Sequence, residues 1–329
     1  MRSLVLLIAC FSLLGKIASA AKPLTITRAP QRWSDAGKGG SPEYIRHIVP
    51  LFSKLGCNNR ACHGSFQGQS GFRLSLFGFE PDEDLKELFE EDDDGVRTSP
   101  DAPDKSFVLF KPTHEDEHDG GERMTVGSWQ HRMFRHWIAG GGKYEPDKVA
   151  RVTRFEVQPS EFVADSLDQK VSLKAIAYFS DNTVEDVTGL TVFSSNDESI
   201  ATVSDDGKVT VARPGCTAIV VRYSGSVTST QVLVPAPSNG KPYPLTFPHN
   251  KIDEFADAKL RKLNIHPSVL SSDSDFIRRT YLDVIGMLPT ADETREFLDD
   301  RSPDKRATLI DRLHGRGRSR GNVGLSAIA

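Results

Sequence analysis

The spacing of apolar positions changes character along the chain. Beyond Gly40, Ser41-Pro42 makes a good N-cap and first-turn pair. Ile45, Ile48, Val49, Phe52 and Leu55 then repeat at helical spacing up to Gly56. Pro50 falls inside that pattern and should kink the helix, because it brings no N–H to the ladder. Residues 64–112 show no sustained period, and Phe72, Leu74, Leu76 and Phe77 are their expected apolar contacts. A second helix is predicted from Ser128, with Trp129, Met133 and Trp137 on one stripe and Gly140-Gly141-Gly142 as its stop.

From Arg151 to Pro235 short β-branched runs replace the helical spacing, at 171–177, 190–194, 200–204, 209–212, 218–223 and 228–234. Asp205-Asp206-Gly207 and Ser224-Gly225 sit where hairpin turns belong. Six or seven strands within about 85 residues are the mark of an immunoglobulin-like β-sandwich, assigned to 151–235. Residues 236–248 are proline-rich and read as a linker. Helical spacing returns over 252–263, 276–285, 292–298 and 304–313, giving a helical segment 249–313. Residues 314–329 are Gly- and Arg-rich without apolar period, and residues 21–40 read as a flexible lead.

Composition narrows the function classes. A net charge of -4 over 329 residues, with mixed signs, argues against a nucleic-acid surface or a polybasic membrane surface. The acidic run Glu90 to Asp94 lacks EF-hand spacing and reads as a solvated face. Residues 1–20 have the parts of a secretory signal: Arg2, an apolar run from Leu4 to Leu14, and Ala18-Ser19-Ala20. Leu7-Ile8-Ala9-Cys10 resembles a lipoprotein box, but it comes early and the apolar run continues past it, so anchoring at Cys10 is set aside. An exported protein, periplasmic or at the cell surface and without a transmembrane span, is the expectation. Cleavage after Ala20 would leave Cys57, Cys62 and Cys216, a number that disulfides cannot pair off.

The segment from Cys57 to His63 has the form Cys-x4-Cys-His, a lengthened version of the Cys-x-x-Cys-His motif of c-type haem attachment. Two thiols add across the haem vinyl groups, and the adjacent histidine reaches the iron from one face. Two extra residues can bulge outward without moving the second Cys-His unit. The motif thus offers Cys57 and Cys62 as thioether residues of one covalent haem c and His63 as proximal ligand. The alternatives are a Cys57–Cys62 disulfide closing a small loop, or zinc held by Cys57, Cys62, His63 and a later histidine. For the distal side His118 and Met124 are the candidates; His114 is a further one, and Met133 shares the core stripe.

Amphipathic helix, motif, glycine-containing loop and aromatic terminal helix together resemble class I cytochrome c domains. More specifically, Gly-Cys-Asn-x-x-Ala-Cys-His-Gly (56–64) with Gly-Phe-Arg-Leu-Ser-Leu-Phe-Gly-Phe (71–79), and Lys111-Pro112 through His118, resemble the cytochrome c-like segment of large exported planctomycete-type proteins. In those a bacterial Ig-like group 2 (BIG2) domain follows, and Ala177 to Asp181, Asp186 to Thr188 and Ile200 to Val203 are similar to it. Ile277 to Asp283 with Gly286 to Thr290 looks like the start of a DUF1549 domain. The resemblance implies a multidomain fold: a small all-α cytochrome c-like haem domain (41–147), an all-β sandwich and a helical fragment. It supplies no reaction. The family continues after Leu313, so 314–329 is expected to be an aberrant tail of a truncated product.

The expected function is an exported electron-transfer module whose redox partner is unknown. The alternative is an adhesion or carbohydrate-binding scaffold that uses the Ig-like domain toward a cell-surface polysaccharide or protein. No catalytic constellation is present: there is no nucleophile elbow and no phosphate loop.

Overall fold

The computed structural model describes residues 24–35, 39–92, 95–238, 240–248 and 250–324; the expected signal segment 1–20, with Cys10, lies outside them. The chain divides into two compact units, 1–265 and 266–329. No helix among the described residues is long and apolar enough to cross a membrane.

The first unit contains a β-sandwich-like region of mixed sheets. Its strands are β1 (Leu24–Ile26), β2 (Val152–Gln158), β3 (Glu161–Val163), β4 (Lys170–Ser172), β5 (Lys174–Phe179) and β6 (Thr183–Asp186). They continue with β7 (Val192–Ser195), β8 (Ala201–Val203), β9 (Lys208–Val211), β10 (Gly215–Tyr223) and β11 (Ser226–Val234). The sheets have the orders β1-β6-β5-β2, β3-β11-β10-β7 and β8-β9-β4. Alternation sets the inward faces: Ala175, Ala177 and Phe179 on β5, and Thr217, Ile219, Val221 and Tyr223 on β10, are all buried. The β10–β11 hairpin turns at Ser224-Gly225, both with positive φ, as a two-residue turn between right-twisted strands requires.

The segment 41–147 carries α1 (Val49–Leu55), α2 (Pro81–Phe89) and α3 (Trp129–Ala139), joined largely by turns. It does not stand apart from the sandwich: both contribute to one contiguous hydrophobic core. Pro50 is the reason for one of their contacts. The chain runs as a π-helix over Tyr44–Ile48 and continues as α1, and the missing N–H of Pro50 together with the change of register leaves the carbonyls of Ile45 and Arg46 to other donors. The sandwich supplies the donors: the Tyr223 hydroxyl donates to the Arg46 carbonyl (2.7 Å) and the Ser224 hydroxyl to that of Ile45 (3.2 Å). At the other end of α1 the Lys54 ammonium donates to the carbonyls of Thr191 (2.8 Å) and Asp205. Tyr223→Phe should therefore orphan a buried carbonyl and lower stability by about 1–2 kcal/mol. Urea unfolding followed by tryptophan fluorescence checks this, because Trp33, Trp129 and Trp137 all lie outside the sandwich strands. An unchanged midpoint would disconnect the two regions.

The expected flexible lead is instead built in. Leu24–Ile26 pairs in parallel with β6, and Ala29 and Trp33 are buried in the shared core. Sequence spacing missed this because the lead is too short to show a period. The linker 236–248 is fastened as well, with the Ala236 N–H donating to the Leu263 carbonyl (2.8 Å) and the Tyr243 hydroxyl to Asp257 (3.0 Å). Asp257 sits on α4 (Lys251–Lys262).

In the second unit α5 (Asp273–Ile285), α6 (Ala291–Asp299) and α7 (Lys305–Gly324) surround Ile277, Tyr281, Phe297, Leu309 and Leu313. Helix α7 continues to Gly324, so the expected tail begins as a continuation of that helix. Thr290 and Glu293 form a capping box at the start of α6.

Candidate functional site

The Cys-x4-Cys-His segment follows directly from the way α1 ends. Gly56 takes a left-handed conformation (φ 81°) as the helix terminator, and the Cys57 N–H folds back onto the Phe52 carbonyl (2.9 Å). The Asn59 side chain accepts from the N–H groups of Ala61 (3.0 Å) and Cys62 (3.2 Å), closing an Asx turn. The His63 N–H then returns to the Cys57 carbonyl (2.9 Å). Arg60 and Ala61 are both exposed, and Ala61 sits at the edge of the cavity that Cys57 and Cys62 line. Gly64 is obligatory, since a Cβ there would meet the Asn58 carbonyl oxygen at 2.2 Å.

Cys57, Cys62, His63 and His118 all line one cavity of about 480 Å3. Phe52, Phe72, Leu74, Leu88, Phe107 and Val108 form its apolar wall, and Arg97, Lys111 and Arg123 bring positive charge to it. Cys57 and Cys62 are free thiols. Burial, with Cys62 close by, pushes the Cys57 thiol up to about 12, against the opposing pull of Arg123.

The two imidazoles are neighbours on the cavity lining. Their ring centroids are 6.3 Å apart and their planes differ by 24°. The His63 Nδ1 lies 3.0 Å from the Phe72 carbonyl, and the His118 Nδ1 2.9 Å from that of Gly121. A carbonyl only accepts, so each Nδ1 carries a hydrogen, and in the neutral ring the lone pair is then on Nε2. Phe72 is itself held by the chain that follows it, through Leu74 N–H to the His63 carbonyl (2.8 Å). Asp84 on α2 accepts from the Ser75 hydroxyl (2.7 Å) and fixes that chain to the helix. Gly120 lies under the His118 ring, where a Cβ would come within 2.7 Å of Cε1. Burial lowers the His63 pKa, with the Phe72 carbonyl opposing and the charges of His118 and Arg97 adding to the lowering. That keeps the ring neutral near pH 7, the form a metal ligand needs.

The other candidates are not brought there. Met124 is buried in the core (4 % exposed) and does not line the cavity, its N–H bonded to the Pro112 carbonyl. His114 is exposed and stacks on Phe110 with centroids 4.0 Å apart, and Met133 is fully buried in the core. Among the described residues no three His, Cys, Asp or Glu side chains converge as a metal-ligand set. Sequence spacing missed the charged wall, because Arg97, Lys111 and Arg123 show no pattern until the chain folds.

The Cys57 thiol gives a measurable pH dependence. With a pKa near 12 it is about one part in ten thousand thiolate at pH 8, so alkylation of the folded, haem-free chain should rise about tenfold per pH unit up to pH 11. Mass spectrometry of the iodoacetamide product checks this; fast, pH-independent labelling at pH 8 would contradict the burial.

Comparison with known proteins reaches only parts of the chain. Residues 251–318 match the PSCyt2 family, described as a protein of unknown function (DUF1549), which accords with the reading of the helical segment. No curated protein matches. Among solved structures, surface layer protein SbsC, domains 1–6, is 18% identical with a TM-score of 0.24, covering 28% of this chain and 14% of that one. Domains 5–6 of the S-layer protein SbsC are 20% identical with a TM-score of 0.23, covering 27% of this chain and 48% of that one. This chain thus spans less than half the length of either structure, and likenesses so slight say nothing of function.

Proposed function

We propose that the first unit is an exported electron-transfer module carrying one haem c, joined to Cys57 and Cys62 and ligated by His63 and His118. The observation that carries this reading is the pair of imidazoles 6.3 Å apart, each with Nδ1 pinned to a backbone carbonyl. Two imidazoles bound through Nε2 on opposite sides of one metal, each at about 2 Å, have centroids roughly 6 Å apart. The cavity also suits the group: apolar walls for the faces of a porphyrin, and both thiols on its lining.

A bound haem supplies a one-electron couple whose potential depends on axial ligands, burial and hydrogen bonding. This chain's residues set those conditions. The Nδ1–H bonds to Phe72 and Gly121 orient the rings and raise the basicity of Nε2. Two protein ligands leave no open position for a substrate, so the reading is a carrier rather than a catalyst. Residues 41–147 are on this reading the small helical cytochrome c-like domain, and 151–235 a BIG2-like sandwich that braces α1 ahead of the motif.

The test is a pyridine haemochrome spectrum on protein exported from cells that mature c-type cytochromes, after extraction with acid and organic solvent. Haem should stay with the polypeptide and be lost in Cys57→Ala and Cys62→Ala. A colourless chain with Cys57 and Cys62 joined as a disulfide would end this reading in favour of the scaffold.

A further inference from the structure

Resting on the haem reading, we propose that Lys111 and Arg123 form the subsite for the two carboxylates of the porphyrin, so that the site selects a dianionic tetrapyrrole. The argument starts from the backbone. The Pro112 carbonyl accepts from the N–H groups of both Arg123 (2.8 Å) and Met124 (3.1 Å), which sets Arg123 beside Lys111 on one stretch of wall. Both side chains line the cavity. Neither has a salt bridge or side-chain hydrogen bond among the described residues; the Lys111 ammonium lies 5.2 Å over the Phe107 ring. The third cation of the wall differs: Arg97 is engaged by Glu87, at 3.2 Å to the carboxylate and 3.1 Å to the carbonyl.

Two unpaired like charges on neighbouring backbone repel each other, and the arrangement becomes favourable when an anion lies against both. Glu117 and Asp119 also line the cavity and, like Arg123, are exposed, but neither is in ion-pair contact with Lys111 or Arg123. The segment 111–124 thus carries the distal histidine and the anion subsite together, and docking of the carboxylates places His118 against the opposite histidine.

The test uses the full chain with Cys57→Ala and Cys62→Ala, so that porphyrin binding is reversible, titrated with haemin and with haemin dimethyl ester and read in the Soret and visible bands. Haemin should bind about tenfold or more tighter than the ester, as the loss of charge-assisted contacts predicts. Adding Lys111→Gln and Arg123→Gln should weaken haemin by that factor and leave the ester unchanged. Equal affinities for both porphyrins, with a low-spin two-imidazole spectrum, would overturn the subsite and leave the haem reading standing. If neither porphyrin gives that spectrum, the haem reading falls and the subsite with it. The comparison of haemin with its ester needs no substitution in the wall, so it decides the matter even if the double Gln variant fails to fold.

Discussion

If the chain carries haem as proposed, replacing His118 with alanine should leave the haem attached and turn a low-spin, six-coordinate spectrum into a high-spin, five-coordinate one. On the proposed haem reading the attachment would depend on Cys57 and Cys62, and the proximal bond on His63, all held by the loop that closes from Gly56 to Gly64. None of these contacts involves His118. The vacated side should then bind carbon monoxide or cyanide, which the parent excludes, and the potential should rise as an imidazole ligand is lost. Met124→Leu should change neither spectrum nor potential, because that side chain packs in the core. Gly120→Val should resemble His118→Ala in milder form, since its Cβ would occupy the space of the ring. An unchanged spectrum in His118→Ala, with an altered one in Met124→Leu, would reverse the ligand assignment.

The largest stability effect is expected at the seam between lead, helix and sandwich. Glu185 on β6 is completely buried, and neither of its oxygens has a hydrogen-bond partner. Its neighbours are the His47 Nε2 at 3.5 Å and an Arg32 guanidinium nitrogen at 3.8 Å. His47 accepts the Glu43 N–H at Nδ1 (2.9 Å), and its Nε2 lies 3.2 Å from the Arg32 guanidinium as well as beside the carboxylate, so the three side chains form one cluster. Arg32→Leu removes the permanent positive charge and leaves the carboxylate with one imidazole. Breaking a buried pair from one side costs about 3–5 kcal/mol, and the lower end applies because Arg32 keeps some contact with water. Arg32→Leu combined with Glu185→Leu should recover most of the loss, since an apolar replacement of the whole cluster removes the desolvation cost. Urea titrations of the single and double variants form the cycle that checks it. If the single variant unfolds at the parent's midpoint, the cluster does not hold the seam.

Stability and the placing of the candidate site meet in the same helix. Arg46, buried above the Phe179 ring at 3.8 Å, donates to Asp181 (3.1 Å) and Thr183 (2.9 Å) and so ties the start of the π-helix to the sandwich. Lys54 ties the end of α1 two residues before Gly56. A change in the sandwich at these points is therefore transmitted to the helix that positions Cys57.

Much of this architecture was legible in the residues alone. Apolar spacing and an N-cap placed α3 between Ser128 and Gly140, and the Ser128 hydroxyl does accept the His131 N–H (3.2 Å). β-branched runs placed the strands, and Ser224-Gly225 placed the hairpin. The spacing of Cys57, Cys62 and His63 outlined a loop that brings all three onto one cavity. These signals succeed because periodicity, capping and turn chemistry act over a few neighbouring residues and need no knowledge of the rest of the chain. What the sequence left open was which distant groups meet. His118 and Met124 stood as equals until packing put one imidazole beside His63 and the other side chain in the core. Pro50 announced a kink, but only the tertiary structure showed the freed carbonyls taken up by Tyr223 and Ser224. The lead looked flexible until its strand found β6. Each of these pairings closes a long loop, so its free energy comes from burial and complementarity that exist only once both partners are in place.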